Sequence, residues 1–226
     1  GCRLAGKVYR ARTPARGYQG PEFETPRSGH LASWYLPCMS VASMRVHRRA
    51  PQPLPTPSLG LMTDCGVHLL DVVLWGMNAN TPNRIVSSGG NFAYPSSAME
   101  TPDTQQAIFE FPDFTMIWEH ANGIGLGPYQ RSHGISFIGN NGTLIVDRGG
   151  WEVLSEIENE QGVKKSKVEP VERQSAKPGE TGLAQHTSNF VNAIRENEKL
   201  NCNINVGSLA AINAHMGNIA LKTKSS

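Results

Sequence analysis

The stretch LMTDCGVHLLDVVLWGM, residues 61–77, decides how the rest of the chain is interpreted. It is apolar around almost the whole circumference of a helix, and such a helix is normally buried. At about 100° per residue, a helix places Asp64, His68 and Asp71 on one narrow stripe, because side chains three and four positions apart are neighbours. Isolated buried charge is costly, so three ionisable groups on a buried helix predict a wet cavity or a functional site.

Two simpler interpretations of these residues stay open. Asp64 follows Thr63 and suits the N-cap position, where a carboxylate accepts hydrogen bonds from free backbone amides. His68 would then be a core histidine held by Asp71, because buried ion pairs perturb pKa values without taking part in chemistry.

The same residues resemble the signature helix of the Gfo/Idh/MocA oxidoreductase family, which includes glucose–fructose oxidoreductase and inositol dehydrogenase. The family pattern is close to D-x-G-x-H-x-x-D, and here it falls on Asp64, Gly66, His68 and Asp71. In the family this helix belongs to the second, substrate-binding domain and lies against the nicotinamide of NAD(P). The resemblance implies that His68 handles the proton of a substrate hydroxyl, with Asp64 beside it. Asp71 is a candidate substrate-binding residue.

Downstream of this helix, the sequence predicts a series of β-strands. Short β-rich runs are separated by turn signals such as Pro112-Asp113 and Asn141-Gly142, and an Asn-Gly pair between two such runs strongly indicates a hairpin. Consecutive hairpins imply antiparallel pairing. The predicted strands are residues 84–88, 105–111, 114–121, 133–139, 143–147 and 151–157, with an earlier strand at 7–12.

The fold class expected from this pattern and from the resemblance is α+β. The family has a large, open, mostly antiparallel β-sheet with helices packed on one face, and this sheet supports oligomerisation. We therefore expect a homo-oligomer formed through the sheet.

Residues 158–180 are polar and are expected to lie on the surface. The sequence after this segment predicts helices. A helical pattern begins at His186, and the runs H-x-x-N-F and A-H-x-G-N-I-A resemble the closing helices of the family. His186 is a candidate substrate-binding residue, and His215 could also reach a site. The alternative for both is a role in packing or at a helix N-terminus.

Residues 13–58 form an irregular segment that holds eight of the fifteen prolines and much of the arginine. No sustained period of 2 or 3.6 residues is present there. Three interpretations stay open: a long surface or inter-subunit loop, a disordered segment or the product of a reading-frame error, and a basic patch for nucleic acid. The arginines are scattered without interleaved aromatic residues, so we predict no nucleic-acid partner.

Composition excludes several function classes. The four cysteines show no metal-ligand spacing, so they are expected to be unpaired thiols and no metal site is predicted. No apolar run approaches the roughly 20 residues of a membrane span, so no membrane partner is predicted. The net charge of +2 indicates no particular partner. The sequence does not indicate whether the protein is located in the cytoplasm or in the periplasm.

Two features of family enzymes are missing from the 226 residues. These enzymes need a Rossmann domain with a G-x-G-x-x-G loop, and a Glu-Lys-Pro segment whose lysine assists catalysis. The run GIGLG at 123–127 follows a predicted strand but is followed by Pro128 instead of a helix, so it predicts a flexible loop. We therefore treat residues 1–226 as a C-terminal substrate-binding domain whose N-terminal Rossmann domain is absent.

The function implied by the resemblance is that of an NAD(P)-dependent oxidoreductase acting on a sugar or polyol carbinol. NAD or NADP is implied for the parent enzyme, whereas this chain alone is not expected to bind either tightly or to turn over. No cofactor-binding residue is assigned. Two other functions stay open: a non-catalytic sugar-binding or oligomerisation module, and an NAD-dependent glycosidase of the same family.

Overall fold

The computed structural model describes residues 2–9, 60–97, 99–177 and 182–224. The irregular segment 13–58 and the end of the first predicted strand lie outside the described residues. The helices are α1 (Cys65–Gly76), α2 (Leu183–Glu196) and α3 (Ile204–Thr223). The strands are β1 (Cys2–Tyr9), β2 (Arg84–Gly90), β3 (Thr104–Glu110), β4 (Thr115–Asn122), β5 (Ile135–Ile138), β6 (Gly142–Asp147), β7 (Gly150–Ser155), β8 (Ile157–Glu160), β9 (Val163–Ser166) and β10 (Val171–Ser175).

Eight of these strands form one open sheet in the order β10-β7-β6-β5-β1-β4-β3-β2, and β8 pairs only with β9. Within the large sheet β1 and β5 are parallel, and the other neighbours are antiparallel. The turn signals are confirmed, because Pro112-Asp113 joins β3 to β4 and Asn141 lies in the turn between β5 and β6. The fold is α+β, with a large, mostly antiparallel sheet, as expected.

The hydrophobic core lies between one face of the sheet and the helices α1 and α3. The inward residues of β3 and β4, such as Phe109 and Trp118, are at most 1% exposed. Leu69, Leu70 and Val73 of α1 pack into the same cluster. Burial of this apolar surface is the main stabilising term of the fold.

Helix α1 is shorter than the predicted helix at residues 61–77. Residues 61–64 form a turn that begins at Gly60, whose φ is +77°, and the amides of Thr63 and Asp64 donate to the Gly60 carbonyl. Burial of the helix is also one-sided, since Trp75 is 54% exposed. The apolar surface of α1 is therefore broader than the face of the helix that packs against the sheet.

The polar segment at 158–180 is exposed in its described part, but it contains more strand than expected. Strands β8 and β9 form an exposed hairpin, and β10 adds an edge strand beside β7. The helical pattern near His186 is confirmed as α2. Asn189 of the H-x-x-N-F run is buried and structural, because its side chain bonds Glu198, the Lys199 carbonyl and the Asn201 amide.

We expect Gly150→Ala to lower the free energy of unfolding by roughly 3 kcal/mol. The φ of Gly150 is +144°, and an added Cβ would overlap the backbone carbonyl of Gln174 in β10. Gly162→Ala is the matched control: φ is +87° and no heavy atom lies within 4 Å, so only backbone strain of about 1 kcal/mol is expected. Urea denaturation of both variants tests this, and equal losses would contradict the steric argument.

Candidate active site

The first turn of α1 lies directly on the sheet because of Gly66. A Cβ at this position would be 3.1 Å from the Trp118 ring of β4 and 3.2 Å from the Leu61 carbonyl oxygen. The glycine of the D-x-G-x-H run therefore permits close approach of α1 to β4. This approach fixes the position of His68, which belongs to the same turn of the helix.

His68 is half-buried, and its Nε2 atom is buried with no hydrogen-bond partner within the described residues. Burial lowers the pKa of His68, and the positive charge of Arg148 lowers it further, whereas the negative charge of Asp64 opposes both effects. The imidazole is therefore neutral near pH 7 and able to accept a proton.

Asp64 occupies the N-cap position of α1, but its side chain makes no capping hydrogen bond. Its backbone is in the right-handed helical region, with φ −85° and ψ −79°, whereas capping residues usually have extended backbones. Its negative charge instead raises the pKa of His68. The catalytic pairing of Asp64 with His68 stays a prediction.

Asp71 is half-buried one turn further along α1. Burial raises the pKa of its carboxyl group. Burial also raises the pKa of the Cys202 thiol, and the negative charge of Asp71 adds to that effect. No hydrogen bond or ion pair joins Asp71 to His68 among the described residues. The charge of Asp71 acts instead on Cys202, in the segment that precedes α3.

His186 and His215 are not joined to His68 by a described contact. His186 is half-buried in the first turn of α2, where its backbone amide donates to the Gly182 carbonyl at 3.0 Å. His215 is exposed on α3. The structure provides no contact that assigns either imidazole to the site.

The sequence interpretation missed Arg148, whose positive charge acts on His68, and His133, on which the same arginine acts. The pKa of His133 is lowered, mainly by burial. The negative charge of Asp147 opposes this effect, and the positive charge of Arg148 adds to it. The Nε2 atom of His133 is buried and has no partner within the described residues.

Asp147 fixes the turn that carries Arg148. Its carboxylate accepts hydrogen bonds from Arg173 at 2.8 and 3.1 Å and from the Gly149 amide at 2.6 Å, and Arg131 pairs with it at 3.0 Å. Burial acts to raise the pKa of Asp147, but these hydrogen bonds and the two guanidinium charges outweigh it, and the pKa is lowered. Four donors on one carboxylate hold the turn between β6 and β7 rigid.

The described residues include no group of three or more His, Cys, Asp or Glu side chains that could hold a metal ion. Among the helices in these same ranges, none has the length and apolarity needed to cross a membrane. The expectations of no metal site and no membrane partner stay predictions.

Comparison with known proteins gives matches only at the level of structure. No family model matches the sequence, and no curated protein matches it either. The structure is similar to YvaA from Bacillus subtilis, described as an oxidoreductase, with a TM-score of 0.55, 13% identity, and coverage of 79% of this chain and 53% of that chain.

Two further solved structures show the same fold. An oxidoreductase described from Erwinia carotovora has a TM-score of 0.52 and 12% identity, covering 97% of this chain and 55% of its own. A protein from Desulfitobacterium hafniense, described as an NADPH-dependent oxidoreductase, has a TM-score of 0.51 and 14% identity. The match covers 75% of this chain and 48% of that chain. The chain spans about half the length of these structures, and it shares its fold with that half of each oxidoreductase.

Proposed function

We propose that this chain is the substrate-binding and proton-transferring part of an NAD(P)-dependent oxidoreductase that acts on a carbinol of a sugar or polyol. The observation that carries the proposal is the half-buried imidazole of His68, whose Nε2 atom has no partner among the described residues. Burial and the charge of Arg148 lower the pKa of His68, and the charge of Asp64 raises it. The D-x-G-x-H-x-x-D pattern and the fold shared with solved oxidoreductases support the proposal.

The chemistry assigned to this chain is proton transfer. In oxidation, neutral His68 accepts the proton of the substrate hydroxyl, and in reduction the imidazolium returns it. Asp64 stabilises the imidazolium, whereas Arg148 opposes its formation, so the two charges set the basicity of His68. Asp71 and His186 stay candidate substrate-binding residues from the sequence, and no described contact joins either of them to His68.

The described residues do not fit a dinucleotide. The pyrophosphate of NAD(P) is normally bound where a glycine-rich turn opens an α-helix. Here the run at 123–127 leads into a single 3-10 turn, Pro128–Gln130, and then into extended backbone at Arg131. We therefore assign NAD(P) to no residue of this chain, and we expect no tight binding by these residues alone.

We also propose that the chain forms a homo-oligomer through the sheet face opposite the helices. Large apolar side chains are exposed on that face: Val86, Ile108 and Leu154 are 36%, 39% and 44% exposed. The strand register places Val86 beside Ile108. The same observation favours the second candidate function, a sugar-binding or oligomerisation module without catalysis.

The experiment is oxidation of a panel of sugars and polyols by the natural protein that contains this chain, with NAD+ and with NADP+. Formation of reduced cofactor with at least one substrate is the expected result. Gel filtration with cofactor titration separates the alternatives, since a stable oligomer that neither binds cofactor nor oxidises any substrate favours the non-catalytic module. Release of sugar from a glycoside without net cofactor reduction would favour the glycosidase.

A further inference from the structure

His120 is a fully buried histidine on β4, and both of its ring nitrogens are hydrogen-bonded. The indole Nε1 of Trp118 donates to Nδ1 at 3.0 Å, and Nε2 lies 3.2 Å from the carbonyl oxygen of Pro102. An indole N–H is only a donor and a carbonyl oxygen is only an acceptor, so the neutral imidazole carries its proton on Nε2. His120 therefore joins the Trp118 ring to the loop that precedes β3.

The neutral state of His120 is needed for both hydrogen bonds. Burial lowers the pKa of His120, whereas the hydrogen bond to Pro102 and the negative charge of Asp103 oppose this effect. The imidazole is therefore neutral near pH 7, and its Nδ1 atom is free to accept from Trp118. The two hydrogen bonds then hold the ring of His120 in one orientation.

The hydrogen bond to His120 also selects which edge of the Trp118 ring faces α1. In an indole, Nε1, Cζ2 and Cη2 lie along the same side of the ring. A Cβ at Gly66 would be 3.1 Å from Cη2 and 3.2 Å from Cζ2, so this side supports the first turn of α1. A flip of the ring about χ2 would break the hydrogen bond and present a different edge to the helix.

The loop that contains Pro102 also contacts the turn before α1. A Cβ at Gly60 would be 2.8 Å from the Cβ of Thr101, the residue before Pro102. The carbonyl of Gly60 accepts a hydrogen bond from the amide of Asp64 at 3.0 Å. His120 thus ties together the two surfaces against which the start of α1 is packed, the loop and the Trp118 ring.

Asp103 holds this loop in place. Its carboxylate accepts hydrogen bonds from the backbone amides of Phe92 at 3.0 Å and Tyr94 at 2.8 Å, and its carbonyl accepts from the Asn122 amide at 2.8 Å. The side chain of Asp103 is buried, so these contacts are shielded from water. The acceptor that Pro102 offers to His120 is therefore fixed before any substrate binds.

We propose that His120 is a positioning residue, which acts through the Trp118 ring to set the position of the first turn of α1 and hence of His68. The inference rests on the proposed function, because it takes His68 as the proton acceptor. His68 follows Gly66 by two residues on the same helix, so a shift of this turn moves both. A reacting group that is misplaced by about 1 Å can lose roughly 100-fold in rate.

The test compares His120→Asn with His120→Gln in the purified natural protein. The amide oxygen of asparagine takes the place of Nδ1 and accepts from Trp118, whereas the longer glutamine places its amide near Nε2 and reaches only the Pro102 carbonyl. In His120→Gln we expect kcat for alcohol oxidation to fall about tenfold or more, with KM within about threefold. Asparagine is expected to restore kcat to within about threefold of the unchanged protein, because it keeps the partner of Trp118.

NMR of the same variants gives a result that does not depend on activity. In His120→Gln the indole N–H signal of Trp118 should shift, and the pKa of His68 should rise toward the ordinary value of 6.5, because burial lowers this pKa and a displaced turn buries the imidazole less. In His120→Asn, both the indole signal and the pKa of His68 should stay close to those of the unchanged protein.

Phe114→Ala is the control for a loss of stability alone. Phe114 is buried and stacks on Phe111 at the turn between β3 and β4, at the opposite end of these strands from Pro102. Its replacement should lower the midpoint of urea unfolding without moving the pKa of His68. The positioning role is overturned if His120→Gln behaves in the same way, or if the two His120 variants lose kcat equally, including through misfolding.

The two proposals fail separately. If His68→Asn keeps its full kcat/KM, the proposed function fails, whereas a shift in the pKa of His68 between the two His120 variants still demonstrates the positioning. If His68 is required for oxidation but neither its pKa nor kcat responds to His120→Gln, only the positioning role is removed.

Discussion

Replacing His68 by asparagine is expected to lower kcat/KM for alcohol oxidation by about 10²–10⁴-fold, the usual contribution of a positioned general base. Asparagine keeps a polar side chain in the half-buried position but cannot accept a proton near neutral pH. The loss should therefore appear in catalysis and not in folding. Steady-state kinetics of the natural protein, with thermal unfolding followed by circular dichroism, measures both.

His215→Asn is the matched control for this prediction. His215 is an exposed histidine on α3, and no described contact connects it to His68. Its replacement is expected to leave kcat/KM within about twofold of the unchanged protein, because surface substitutions away from a site have small effects. An unchanged kcat/KM in His68→Asn would remove the proton-transfer role of His68.

The second large effect is expected from Trp118→Ala, which should cost about 3–5 kcal/mol of unfolding free energy. Trp118 is 1% exposed, and the first turn of α1 lies on its ring. Its indole Nε1 also donates to Nδ1 of His120 at 3.0 Å. Removal of the ring leaves a cavity under α1 and an unpaired nitrogen on a fully buried histidine, so both effects add.

Trp75→Ala is the comparison for this variant, since Trp75 is 54% exposed on α1. Its cost is expected to be about 1 kcal/mol or less. Urea denaturation of both variants gives the two values on the same scale. Similar losses for the two tryptophans would show that α1 does not depend on the Trp118 ring for its packing.

Most of the sheet could be predicted from the sequence because its strands are short and separated by strong turn signals. Strands β2 to β7 all correspond to predicted runs, and the Asn-Gly hairpin has the expected antiparallel register. Strand β10 was missed because the sequence VERQS has no apolar alternation, and an edge strand with mostly exposed side chains does not require one.

Only the part of the candidate site that is formed by residues close together in the sequence could be predicted. Asp64 and His68 are four residues apart, so helical spacing alone brings them together. Arg148 lies on a different element, and its effect on His68 depends on how α1 packs across the sheet. The hairpin register could have placed His133 level with Arg148, but it carries no information about their position relative to His68.

The most direct test of the central claim compares the pKa of His68, measured by NMR, with the acidic limb of the pH profile of kcat/KM. Oxidation needs neutral His68, so the rate should fall as pH falls through this pKa, which is expected below the ordinary value of 6.5. Asp64→Asn removes a charge that raises the pKa, so both quantities should move together to lower pH. A limb that stays in place while the pKa of His68 moves would contradict the assignment of His68 as the proton acceptor.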